Sequence, residues 1–138
     1  MFEPTLKSAI EYGKANKIEE WVHEYLCGEG NNQGFSDGLK LEPRQYTEPQ
    51  LMNLDLFKRC YGPEPDMVYH IREDETDHLK WFWGKIDRIA ERYSTGNWDM
   101  PPLIISNFDG EYMLNDGNHR FEALKKLGIT EYWVILWK

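Results

Sequence analysis

The densest cluster of chemically capable side chains is Asp116-Gly117-Asn118-His119-Arg120, a carboxylate, an amide, an imidazole and a guanidinium in five residues. Arg120 carries a planar fork of donors that matches phosphate oxygens. His119 can donate to such an oxygen, and Asp116 can hold a water or a Mg²⁺ ion bound to phosphates. Each has a plainer use as well. Asp116 reads as a helix cap, His119 as a structural hydrogen-bonding histidine, and Arg120 as the partner of Asp116 or Glu122.

These residues need elements to hold them. Pro102-Leu103-Ile104-Ile105 and Tyr112-Met113-Leu114 flank Asp109-Gly110, a strong hairpin signal because both central residues of the favoured turn need positive φ. Phe121, Leu124 and Leu127 recur at helical spacing, with Lys125 and Lys126 in the last turn and Gly128 as the stop. Tyr132 to Trp137 reads as a final strand. The pentapeptide thus falls between a strand and the start of a helix, where free backbone N–H groups and the dipole attract anions. The pattern predicts a phosphate cradle of Gly117, Asn118, His119 and Arg120.

Gly117-Asn118-His119-Arg120-Phe121-Glu122-Ala123, with a hairpin before it and an apolar strand after it, resembles the shared motif of the ParB/sulfiredoxin superfamily. Sulfiredoxins carry Gly-Cys-His-Arg here, ParB proteins Gly-Glu-Arg-Arg, and the free serine kinases Asp-Gly-His-His-Arg. The resemblance covers roughly the last half of the chain. It implies an α+β fold with a small mixed β-sheet flanked by helices, and nucleotide phosphates held at the loop and helix start; the helical spacing near the N-terminus adds extra N-terminal helices to that fold. It further implies ATP or another nucleotide with Mg²⁺ as the ligand, and phosphoryl transfer to a small-molecule substrate or nucleotide hydrolysis as the reaction. His119 and Asp116 are then the catalytic candidates. In the free serine kinases an acidic residue from an N-terminal segment is the base, a role for which Glu42 is the candidate here and Glu48 the alternative. The sulfiredoxin cysteine falls at Asn118, and an amide cannot be the sulfur nucleophile. A second reading is a ParB-like DNA-associated module, partition-type or nuclease-like, without the helix-turn-helix region.

Composition narrows these readings. The 138 residues, 41% hydrophobic with six tryptophans, predict one domain with a real core, residues 1–38 forming a helical extension and glycine-rich loop and 39–138 the core. The net charge is −8, which disfavours duplex DNA, since phosphate neutralisation dominates that affinity. Two cysteines make no disulfide framework, and no signal peptide or bilayer-length apolar run is present, so a cytoplasmic protein without a membrane partner is expected. Homo-oligomerisation stays open. His23, His70 and His78 have no metal-site spacing.

Upstream, Leu6, Ala9 and Ile10 start a helical stripe, and Asn16 with Glu19 predicts a capping box before Ile18, Trp21, Val22 and Tyr25. Gly28 to Gly38 reads as a connector, Leu39 to Leu41 as a short strand, Leu51 to Cys60 as a short helix and Met67 to Ile71 as a strand. Glu73, Asp74, Glu75 and Asp77 precede the clearest helix, whose apolar face is Leu79, Phe82, Trp83, Ile86, Ile89, Ala90 and Tyr93. Trp81 lies off that face.

Overall fold

The computed structural model describes residues 1–138. Five strands form a mixed sheet in the order β1-β7-β5-β6-β2: β1 Gln50–Asn53, β2 Lys58–Arg59, β5 Leu103–Phe108, β6 Glu111–Asp116 and β7 Glu131–Trp137. The central strand β5 runs antiparallel to β6 and parallel to β7. Two short strands, β3 Tyr61–Gly62 and β4 Tyr69–His70, pair parallel outside this sheet. The helices are α1 Leu6–Lys14, α2 Ile18–Cys27, α3 Gln33–Leu39, α4 Thr76–Ser94 and α5 Asn118–Lys126. No helix is long and apolar enough to cross a membrane.

Strand alternation divides the core. Ile104, Ile135 and Trp137 pack with Ala9, Trp21, Val22, Leu26 and Leu39 of α1–α3. Leu103, Ile105, Val134 and Leu136 pack with Phe121 and Leu124 of α5. Phe82, Ile86 and Ala90 of α4 then meet Ala123 on α5. The N-terminal helices therefore cover one face of the sheet and pack against the residues that β5 and β7 turn toward them.

The stretch from Pro101 to Trp137 folds as its local signals require. Asp109 and Gly110 have φ of 56° and 81°. Gly128, at φ 76°, closes α5, with Ile129 N–H donating to the Leu124 carbonyl and Gly128 N–H to that of Lys125.

Elsewhere several expectations need correction. The Asn16/Glu19 capping box does not form, because Asn16 adopts φ 58° to end α1 and Lys17 becomes the N-cap of α2. The capping box is instead at Thr5 and Ser8. The connector Gly28 to Gly38 contains α3, anchored by buried Ser36 and Leu39, and Leu39 to Leu41 is the end of that helix and a turn, not a strand. Leu51 to Cys60 is two strands around one 3₁₀ turn. Its partners lie far along the chain, Val134 opposite Gln50 and Met113 opposite Lys58. From Met67 to Ile71 only Tyr69 and His70 are strand. On α4, Trp83 is exposed along with Trp81, while Phe82, Ile86 and Ala90 are buried.

Candidate functional site

The site begins with an irregularity in β6. Ile105 pairs with Leu114 but Ile104 pairs with Asp116, leaving Asn115 as an extra residue. Such a bulge re-aims the side chains that follow it. Asn115 Oδ1 accepts from Trp137 Nε1 at 2.9 Å, and the carboxylate of Asp116 is buried.

Gly117, not Asp116, is the N-cap of α5, at φ 103° and with no side chain capping the helix. A Cβ there would meet Leu103 Cδ2 at 2.7 Å and Arg120 Nη2 at 2.9 Å, so only glycine fits. The N–H groups of Asn118, His119 and Arg120 open the helix with no side-chain acceptor.

Arg120 is the main correction to the sequence reading. Its guanidinium is buried and committed to protein acceptors. Nη1 donates to the carbonyls of Pro101 at 2.6 Å and Pro102 at 3.1 Å, and Nη2 to Asp116 Oδ2 at 3.0 Å. It ties the start of α5 to the entrance of β5 and has no free fork for a phosphate. The other bland alternative, Glu122, pairs with Arg59 at 3.0 Å.

Asn118 is buried too. Its Oδ1 accepts from Cys60 N–H at 3.1 Å, and its Nδ2 lies 3.7 Å from Cys60 Sγ. The side chain pins the segment before β3 to α5. Burial pushes the Cys60 thiol up, the opposite of what a sulfur nucleophile needs.

His119 sits among the rings of Tyr61, Trp81 and Phe82, with centroids 5.5, 5.2 and 5.0 Å away. Its Nε2 is buried without a partner. Burial, aided by the nearby cations of Lys85, Arg120 and Arg59, pushes its pKa down to about 3. At neutral pH the imidazole is uncharged and cannot act as a cationic acid.

Glu42 does not join the site. It is exposed, pairs with Arg44 at 3.6 Å and lies outside the cavity that the other candidates line. Glu48 packs instead against Gly13.

That cavity, of about 740 Å³, separates α5 from the glycine-rich segment. Asp116, Gly117, Asn118 and His119 form one wall; Gly30, Asn32, Gly34 and Gly38 form the other. Asn32 Nδ2 reaches across to Asp116 Oδ1 at 3.2 Å. Gly34 and Gly38 are one helical turn apart, and a Cβ on either meets nothing within 4 Å. Tyr61 and Lys85 complete the lining.

In the sequence Lys85 is one more charge on an amphipathic helix. It is half-buried, with Nζ 5.1 Å from the centre of the Trp81 ring, and has no carboxylate within ion-pair distance. Burial lowers its pKa, with the Asp116 charge opposing that shift. Its one local signal is its position four residues after Trp81, the aromatic that falls off the apolar face.

No family model matches the chain, and no curated protein matches it. Solved structures do resemble it. A conserved hypothetical protein from Pyrococcus furiosus is 18% identical over 69% of this chain and 34% of its own length, with a TM-score of 0.47. Sulfiredoxin from Arabidopsis thaliana is 20% identical over 64% of this chain and 84% of its own, at 0.43. A Pnob8-like ParB-N domain is 18% identical over 69% of this chain and 30% of its own, at 0.40. The chain spans about a third of the length of the first and third of these. The likeness is one of fold. At this level it brings no activity, ligand or residue role with it.

Proposed function

We propose that the cavity between α3 and α5 binds a nucleotide, as the first step of phosphoryl transfer to a small molecule or of nucleotide hydrolysis. One observation carries this reading. The uncapped start of α5 faces a cavity of about 740 Å³, within the range of small-molecule sites, beside a lysine with no carboxylate partner.

In this reading the amides of Asn118 and His119 hold phosphate oxygens and Lys85 neutralises them. The role first given to Arg120 passes to Lys85, and Arg120 keeps the loop in place through Asp116. His119, being neutral, can donate one N–H to an oxygen. Phosphoryl transfer depends chiefly on positioning and charge stabilisation, so this small set of groups is sufficient machinery for binding and alignment.

A resident metal does not fit. No three His, Cys, Asp or Glu side chains converge on one point, and both oxygens of Asp116 already accept hydrogen bonds. Mg²⁺ accordingly enters as the counter-ion of the nucleotide and is given no protein ligand. Four of the six arginines, Arg44, Arg59, Arg72 and Arg120, are each held by a carboxylate, and the net charge of −8 favours a small anionic ligand over duplex DNA.

Calorimetry with ATP, ADP and CTP, with and without Mg²⁺, tests the proposal. Binding by the wild type that weakens about tenfold or more in Lys85→Ala, the loss of one charge-assisted contact, is the expected result. No heat with any of the three at millimolar concentration would overturn it.

A further inference from the structure

Three side chains form a chain of hydrogen bonds that ends at Tyr61, a residue of the cavity lining. Glu75 Oε2 lies 3.1 Å from His78 Nδ1, and His78 Nε2 is hydrogen-bonded to the Tyr61 hydroxyl. Tyr61 lines the same cavity as the first turn of α5, and its ring meets the edge of His119.

The protons in this chain can be assigned. An ionised carboxylate only accepts, so His78 carries its proton on Nδ1 and donates it to Glu75. In the neutral ring Nε2 is then an acceptor, and the Tyr61 phenol donates to it. The phenolic oxygen keeps a lone pair for one further donor. The arrangement follows the logic of a hydroxyl activated by a base that is itself oriented by a third group.

A purely structural role explains it less well. Glu75 is the N-cap residue of α4, yet its side chain caps no helix N–H. It accepts instead from His78, from Arg72 N–H at 3.3 Å and from the Arg72 guanidinium at 3.2 Å. The hydrogen bond to His78 is also what chiefly holds the Glu75 carboxyl below its usual range.

We propose that Tyr61, oriented by His78 and Glu75, is the proton acceptor for a small alcohol that takes the terminal phosphoryl group. This rests on the nucleotide reading of the cavity. The alcohol gives its proton to Tyr61 Oη as the Tyr61 proton moves to His78 Nε2, and Glu75 stabilises the resulting imidazolium. The alcohol oxygen bonds to the terminal phosphorus, and the bond from that phosphorus to the bridging oxygen breaks. The electron pair leaves with the nucleoside diphosphate, so the products are a phosphate monoester and the diphosphate. The proton on His78 returns through Tyr61 to solvent. Tyr61 alone of the three meets the substrate; His78 orients it and receives its proton, and Glu75 orients His78.

The test combines ATP calorimetry with transfer of labelled terminal phosphate from MgATP to glycerol, ethanolamine, L-threonine and water. Wild type should bind ATP and label at least one acceptor. Tyr61→Phe, which keeps the ring, should lower kcat at least 100-fold while changing the ATP Kd less than threefold. His78→Gln should lower kcat at least tenfold, again with little change in Kd. In ¹⁵N spectra of the wild type, His78 should show the Nδ1–H tautomer, a signature that Tyr61→Phe perturbs. ATP binding without transfer to any acceptor, or full kcat in Tyr61→Phe, overturns the assignment while leaving nucleotide binding intact. Absence of ATP binding overturns the underlying reading and this one with it, and the calorimetry tells the two failures apart.

Discussion

The two walls of the cavity are built on opposite principles. The α5 wall is stapled by buried polar bonds: Arg120 to Asp116 and two carbonyls, Asn118 to Cys60, and Gly117 where no side chain fits. The α3 wall is made of glycines and asparagines, and the hydrogen bond from Asn32 to Asp116 joins it to the other. The first wall fixes where free amides point. The second leaves backbone open to a ligand at a cost in helix stability, since glycine inside a helix is unfavourable by ~1 kcal/mol relative to alanine. One side is preorganised and the other is adaptable, an arrangement suited to gripping a phosphate on one side and accommodating the rest of a ligand on the other.

The largest expected effect comes from unfastening the rigid wall. Arg120→Ala leaves Oδ2 of the buried Asp116 carboxylate and two carbonyls without their donor, which should cost about 3–5 kcal/mol in urea unfolding. Were Arg120 a free phosphate ligand instead, the variant would lose binding and keep its stability.

A second effect lies in acid. His119 has a folded pKa of about 3 against an unfolded value near 6.5. The unfolded chain therefore binds the proton more readily, and stability falls as pH drops below about 6.5. By pH 5 the loss from this residue should reach about 2 kcal/mol. His119→Phe should remove that part of the slope in thermal melts recorded from pH 7 to 5, and an unchanged slope would mean the imidazole is not held neutral.

Smaller changes are expected on the adaptable wall, and with two signs. Gly34→Ala and Gly38→Ala have room for their methyl groups and should each raise stability by roughly 0.5–1 kcal/mol. The same methyl groups enter the cavity, so the double variant should bind ATP more weakly although it is the more stable protein. Asn32→Ala, which removes the link between the walls, should cost about 1 kcal/mol.

The contrast also explains what could be read from the sequence. From Pro101 to Trp137 each step is decided by neighbours: a two-residue turn, a helix between Gly117 and Gly128, and apolar strands on either side. Between Gly28 and Ile71 the deciding partners are distant. Leu51, Leu54 and Phe57 have helical spacing, but pairing of Gln50–Asn53 with β7 draws the first into a strand and leaves Leu51 exposed. The pairing of Arg120 with Asp116 was a legible alternative, since it is an i,i+4 contact beside a helix start. The carbonyls of Pro101 and Pro102, which complete its burial, had no local signal. Tyr61 lacked a local signal as well, and Lys85 had only its spacing from Trp81; both line the cavity because α4 and β3 lie beside α5.

The central claim is that the first amides of α5 receive a phosphate. Titration of ¹⁵N-labelled protein with ATP reads those amides one by one. The account predicts that the largest shifts fall on the N–H groups of Asn118 and His119, with smaller ones at Gly34 and Gly38, and that Lys85→Ala reduces them all. Shifts confined to other surfaces, or none at millimolar ATP, would contradict it.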